Sequence, residues 1–204
     1  MATFLCRVIG NLPSGETWTT GVHASGTGSL SSFLTAAGNF VDTLWNGSGG
    51  GVTGLTTDVP AGVGATSLVV YELDDATGRA TARAEASLVL AGEDTGNPLP
   101  QEVAVVASLR TATPGPRGRG RLYLPPLGVN KCTAVGRVDA AAQANLAASV
   151  AAALGELNSG GFDPILFSPG FADRPITSVD VGDVFDAQRR RRDKLVETRV
   201  SVAV

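Results

Sequence analysis

Residues 29–46, SLSSFLTAAGNFVDTLWN, decide the fold class. Leu30, Phe33, Leu34, Ala37, Val41, Leu44 and Trp45 stand at offsets 0, 3, 4, 7, 11, 14 and 15, the spacing of one helical face. Ser29 is placed to cap the first turn. Asn46-Gly47 supplies residues that tolerate a left-handed conformation at the helix end. On either side of this helix the pattern changes to extended chain.

Upstream, residues 3–9 alternate, with Phe4, Cys6 and Val8 on one side and Leu5, Arg7 and Ile9 on the other. Asn11 to Gly15 reads as a turn and Glu16 to His23 as a second strand, so a hairpin is expected. Downstream, a glycine-rich loop reaches Pro60. Thr66 to Leu73 is a strand, Asp74 to Gly78 a turn, and Thr81 to Leu90 a further extended segment. Glu102 to Arg110, EVAVVASLR, is the most hydrophobic strand and is expected to be central in a sheet. Pro114 to Gly120 reads as a loop. Arg121 to Leu124 resumes the strand, which Pro125-Pro126 is expected to stop. A second helix over 138–158 has Leu146, Val150, Leu154 and Leu157 stepping by four, four and three, with Asp139 as its candidate cap. Short strands follow at 164–167, 176–184 and 197–204. The expected architecture is α+β, a single domain over 1–204 whose mixed or largely antiparallel sheet is covered by two helices.

The order of elements is met twice. Residues 66–79, TSLVVYELDDATGR, align without a gap over 177–190, TSVDVGDVFDAQRR, at an offset of 111. Thr66/Thr177, Ser67/Ser178, Val70/Val181, Asp75/Asp186, Ala76/Ala187 and Arg79/Arg190 are identities. Two readings compete: strand and turn propensities alone, or a duplicated unit with pseudo-repeats of about 1–110 and 111–204.

Composition narrows the function classes. Of 204 residues 43% are hydrophobic and 17% charged, which describes a globular chain with a core of Val, Leu and Ala, since aromatics are only 5%. The formal charge of −3 disfavours a general role on nucleic acid. The first nine residues lack the apolar core and basic flank of a signal peptide, so no targeting segment is expected. No run approaches the roughly 18 apolar residues of a membrane helix. Cys6 and Cys132 lie far apart and His23 is the one histidine, so free thiols are expected and zinc is not.

The most distinctive feature is the track Arg117-Gly118-Arg119-Gly120-Arg121. In extended chain its three guanidiniums share one side and repel unless something anionic faces them. Carboxylates of this or a neighbouring subunit, a solvated loop, and phosphate are the three readings. Arg189 to Arg192 follows Asp183 and Asp186, so local pairing is easy there. No aromatic residue interleaves with either cluster, which leaves base stacking unsupported. No nucleophile elbow, Walker loop, HExxH, CxxC or GxGxxG is present. No catalytic residue, cofactor, metal or small-molecule substrate is therefore expected. Trp18 stands in a polar strand and is a candidate interface residue.

Residues 99–110, 117–125 and 178–192, taken in this order, resemble virion-associated proteins of tailed bacteriophages and viral metagenomes that carry no defined activity. With residues 66–79 the resemblance spans roughly half the chain, and the N-terminal third shows no family motif. It implies a viral setting and transfers no functional residue. The expectation is a non-enzymatic virion protein, made in the host cytoplasm, that associates with itself and with other virion proteins as a capsid, decoration, or tail/connector subunit. Arg117, Arg119, Arg121, Arg190, Arg191 and Trp18 are the candidate interface residues. A nucleic-acid-binding module using the same arginines is one alternative. A host-surface or glycan-binding module using Trp18 and Tyr71 is the other.

Overall fold

The alternation of the first residues becomes β1 (Ala2–Asn11), antiparallel to β2 (Thr17–Gly26). Phe4 lies opposite Ala24, Cys6 opposite Val22 and Val8 opposite Thr20, and all six are buried. This is a computed structural model, and it describes residues 1–11, 17–46, 64–91, 102–112, 119–128, 140–186 and 200–204.

Helix α1 (Leu30–Asn46) follows, with Ser29 capping it as the sequence predicts. The Ser32 N–H donates to Ser29 Oγ at 3.1 Å and the Phe33 N–H to the Ser29 carbonyl at 2.9 Å. Its apolar face buries Phe33, Ala36, Ala37, Phe40, Val41 and Leu44.

Strands β3 (Gly64–Leu73) and β4 (Ala80–Ala91) are joined by a turn that Asp74 organises. Its Oδ1 accepts from the Thr77 N–H at 2.8 Å and from Thr77 Oγ1 at 2.6 Å, and Gly78 takes the left-handed φ of 70°.

The second half contains β5 (Glu102–Thr111), β6 (Arg119–Gly128), α2 (Ala140–Ser159), β7 (Phe162–Leu166), β8 (Arg174–Asp186) and β9 (Val200–Ala203). The sheet runs β4-β3-β1-β2-β7-β8-β5-β6, with β9 also paired to β8, and every pairing is antiparallel. The two helices pack on each other and on the sheet, so the class is α+β with a sheet covered by two helices. Asp139 lies outside the described residues, as do the loop residues 47–63.

One expectation is corrected. Pro125 and Pro126 do not stop their strand, because β6 continues to Gly128. Val103 pairs Leu127 and Val105 pairs Leu124, so the two prolines together oppose Ala104 alone. A bulge on a strand at the end of the sheet absorbs residues that have no N–H to donate.

Within this sheet, the order β4-β3-β1-β2 is matched by β9-β8-β5-β6. The match extends to register. Cys6 pairs Val70 and Val22, while Ala107 pairs Val181 and Leu122. In the β1–β3 ladder the register slips between Ile9 and Gly10, leaving Thr66 unmatched. In the β5–β8 ladder it slips between Arg110 and Thr111, leaving Thr177 unmatched. Thr66 Oγ1 donates to the Ile9 carbonyl at 3.3 Å, and Thr177 Oγ1 to the Arg110 carbonyl at 3.4 Å. The aligned block thus falls on the same place in both layouts. The division between them lies ahead of Glu102, however, and not at 110/111.

Strand β7 has no counterpart in the first layout. It joins the two groups, pairing Gly26 to Phe162 on one side and Leu166 to Arg174 on the other. Phe162 enters the core against Phe4 and Phe33, with ring centroids 5.3 and 5.0 Å away, and Phe4 and Phe33 are themselves 4.9 Å apart. β1, α1 and β7 each contribute one ring of this triad, which pins the seam to the core.

Candidate functional site

The expected interface residues are spread over three places. Trp18 stands opposite Gly10 in the β1–β2 ladder. Arg119 and Arg121 stand on β6, opposite Arg110 and Ser108 of β5. Arg117, Arg190 and Arg191 lie outside the described residues. Of the Arg117–Arg121 track, the structure thus describes the backbone positions of Arg119 and Arg121, two residues apart on one strand. The expected carboxylate partner is seen for a different arginine.

That arginine is Arg110, whose Nε donates to Asp180 Oδ2 from the neighbouring strand β8. Asp180 is 3% exposed, and the Arg110 guanidinium gives its carboxylate a partner of opposite charge inside the protein. The two residues are seventy apart in the chain. The sequence places both on strands, and only the sheet order brings them together. At the matching positions of the first layout stand Ile9 and Val69, an apolar pair.

Tyr71, a candidate for glycan contact, sits on β3 with the Arg7 guanidinium 5.9 Å from its ring centroid. A cation thus already occupies one face of that ring. His23 packs on Phe167 with ring centroids 5.2 Å apart, and burial lowers its pKa from the ordinary histidine value. Burial likewise pushes the Cys6 thiol up to about 12, so it behaves as a small apolar core residue and not as a nucleophile. Among the described residues no group of three or more His, Cys, Asp or Glu side chains is placed to hold a metal ion. Among them, too, no helix is long and apolar enough to cross a membrane.

What remains is the surface geometry of the sheet. β6, at one end, also lies beside β2. β4, at the other end, pairs β3 alone among the described strands. It is twelve residues long, and its outward edge presents backbone N–H and C=O groups that no described strand takes up. Along it Thr81, Arg83, Glu85 and Ser87 are exposed, while Ala82, Ala84, Ala86 and Leu88 between them are half-buried. Sequence reasoning identified the strand but not its place at the end of the sheet, since nothing local to residues 80–91 encodes which strand lacks a second neighbour.

No family model, no curated protein and no solved structure matches the chain.

Proposed function

We propose that this chain is a non-enzymatic structural subunit of a tailed-bacteriophage particle, built to associate with copies of itself and with other virion proteins. The observation that carries the reading is the twelve-residue β4 at the end of a nine-stranded antiparallel sheet, whose outer edge no described strand takes up. An edge of that length that no described strand takes up is a template for strand addition, which single chains blunt with proline, short strands, charged side chains or β-bulges. β4 has no proline, its two charged residues are of opposite sign, and the register shifts against β3 fall toward its two ends, leaving Ala82 to Ser87 regular between them.

Two further points support it. Three blocks of the sequence resemble virion-associated proteins, and the triad of rings together with a core on the helix side of the sheet makes a rigid unit suited to repetition by symmetry. In this reading the protein is made in the host cytoplasm and resides in the virion. Its arginine-bearing segments at 117–121 and 190–191, with Trp18, meet neighbouring subunits.

The test is the mass of the purified full-length protein by light scattering at low and high salt, with negative-stain microscopy of the same samples. A defined oligomer, ring or shell is expected, and its loss at high salt would assign the contacts to the arginines. A strict monomer at high concentration in both conditions would refute self-association.

A further inference from the structure

We infer that β4 pairs antiparallel with β4 of a second copy of this chain, about a two-fold axis through Ala84. The inference deepens the proposed function, because it names the contact through which copies associate, and it rests on that self-association.

The strand reads Thr81-Ala82-Arg83-Ala84-Glu85-Ala86-Ser87 at its middle. Folded on Ala84, this stretch is complementary to itself. Arg83 comes opposite the partner's Glu85 and Ala82 opposite the partner's Ala86, while Thr81, which the β3–β4 register leaves unmatched, stands at the end of this regular stretch. Directly opposed residues of an antiparallel pair have their side chains in contact, and opposite charges are favourable there. A two-fold axis normal to the sheet keeps each face on its own side. The exposed row of Thr81, Arg83, Glu85 and Ser87 therefore continues into the same row of the partner, and the alanine row continues beneath it.

The charges also fix the register. Sliding the two strands so that Arg83 opposes Arg83, or Glu85 opposes Glu85, sets like charges directly against each other. Within one chain Arg83 and Glu85 already form an ion pair, with side chains 56% and 60% exposed. In water such a pair contributes little by itself. It holds both charged groups on one face and extended along the edge, where a second strand would meet them. On the face opposite Arg83 and Glu85 the seam carries only the small alanines Ala82, Ala84 and Ala86.

Sedimentation velocity of the full-length protein over a range of concentration tests this. Wild type is expected to form a species of twice the 20.7 kDa of one chain. Arg83→Glu and Glu85→Arg, each with native circular dichroism, are expected to weaken that association by about tenfold or more, since each turns two attractive pairs into two repulsive ones. The doubly reversed chain, Arg83→Glu with Glu85→Arg, restores the pattern and should associate as wild type does. The two single variants mixed together should form a hetero-pair. Absence of a two-chain species in wild type would overturn the inference, and so would association that both single reversals leave unchanged. A larger particle untouched by the reversals would overturn the β4 contact while leaving the structural reading standing. A two-chain species abolished by them would uphold the contact even where no larger particle forms.

Discussion

Phe162 is wedged so tightly that a change at an exposed glycine should report on it. The ring is fully buried between Phe4 and Phe33, and a Cβ placed on Gly28 would stand 2.6 Å from its Cζ and 3.2 Å from its Cε1. Phe162→Ala removes the ring and opens a cavity, a change that costs about 3–5 kcal/mol at a buried phenylalanine. Gly28→Ala in the wild-type background must displace the ring against its two neighbours, an overpacking cost of about 1–3 kcal/mol. The smaller unfolded-state entropy of alanine offsets about 0.4–1 kcal/mol of this, leaving a net loss on the order of 1–2 kcal/mol. In the Phe162→Ala background the same methyl enters the cavity, the clash vanishes, and only the gain of about 0.4–1 kcal/mol is left. The two changes should therefore couple by about 2 kcal/mol. Urea unfolding of the four proteins measures this directly, with unchanged m-values confirming that stability and not the denatured state has moved. Gly26→Ala is the control. Its Cβ would meet the Gly161 carbonyl oxygen at 2.8 Å as well as the ring, so it should remain costly after the ring is gone. Additive costs for Gly28→Ala and Phe162→Ala would refute the packing argument.

The half-buried His23 imidazole favours its neutral form in the fold, so as pH falls through about 6.5 the unfolded chain takes up the proton first and stability declines. The melting temperature should therefore be higher at pH about 7.5 than at about 5.5, and His23→Gln should flatten that difference. Thr66→Val and Thr177→Val each delete one hydroxyl bond to the strand facing a register slip. Each should cost about 1 kcal/mol in chemical denaturation, and the two should agree to within about 0.5 kcal/mol if the sites are equivalent. Arg110→Met leaves the Asp180 carboxylate without its guanidinium and should cost about 3 kcal/mol. Adding Asp180→Val, which recreates the apolar character of Ile9 and Val69, should recover most of that loss in the same assay.

Much of the fold was legible in local pattern because its causes are local. The period of Leu30 to Leu44, the cap at Ser29, the alternation of Phe4, Cys6 and Val8, and the turn at Asp74 all act within a few residues. The sheet order has no such source. β7 enters the sheet between β2 and β8 because Phe162 completes a cluster with Phe4 and Phe33, and those rings come from segments over a hundred residues away. Pro125-Pro126 misled for a related reason. Proline stops a strand only where its missing N–H is needed, and a bulge on a terminal strand removes the need. Of the site, the arginine track was visible as composition. The Arg110–Asp180 pair depends on the β5–β8 register and was not. Nor was the self-complementary pattern of β4, which is chemically silent until the strand is known to lie at an edge.

The two layouts differ where association is at stake, and the difference decides the kind of assembly. The strand that corresponds to β4 is β9, which spans four residues against twelve. A β4 edge meeting β9 of another copy would be a head-to-tail contact, able to propagate into a filament, and among the described residues β9 offers it four. Two β4 edges meeting about Ala84 engage at least the five residues from Ala82 to Ala86 and use the same patch on both chains. The proposed β4 pair is isologous, its charges are complementary about Ala84, and a two-fold contact closes on itself. Chains joined through β4 are therefore pairs. In the proposed assembly, any ring or shell larger than a pair would be built from a second surface, for which the arginine-rich stretches at 117–121 and 189–192 of the sequence are the candidates.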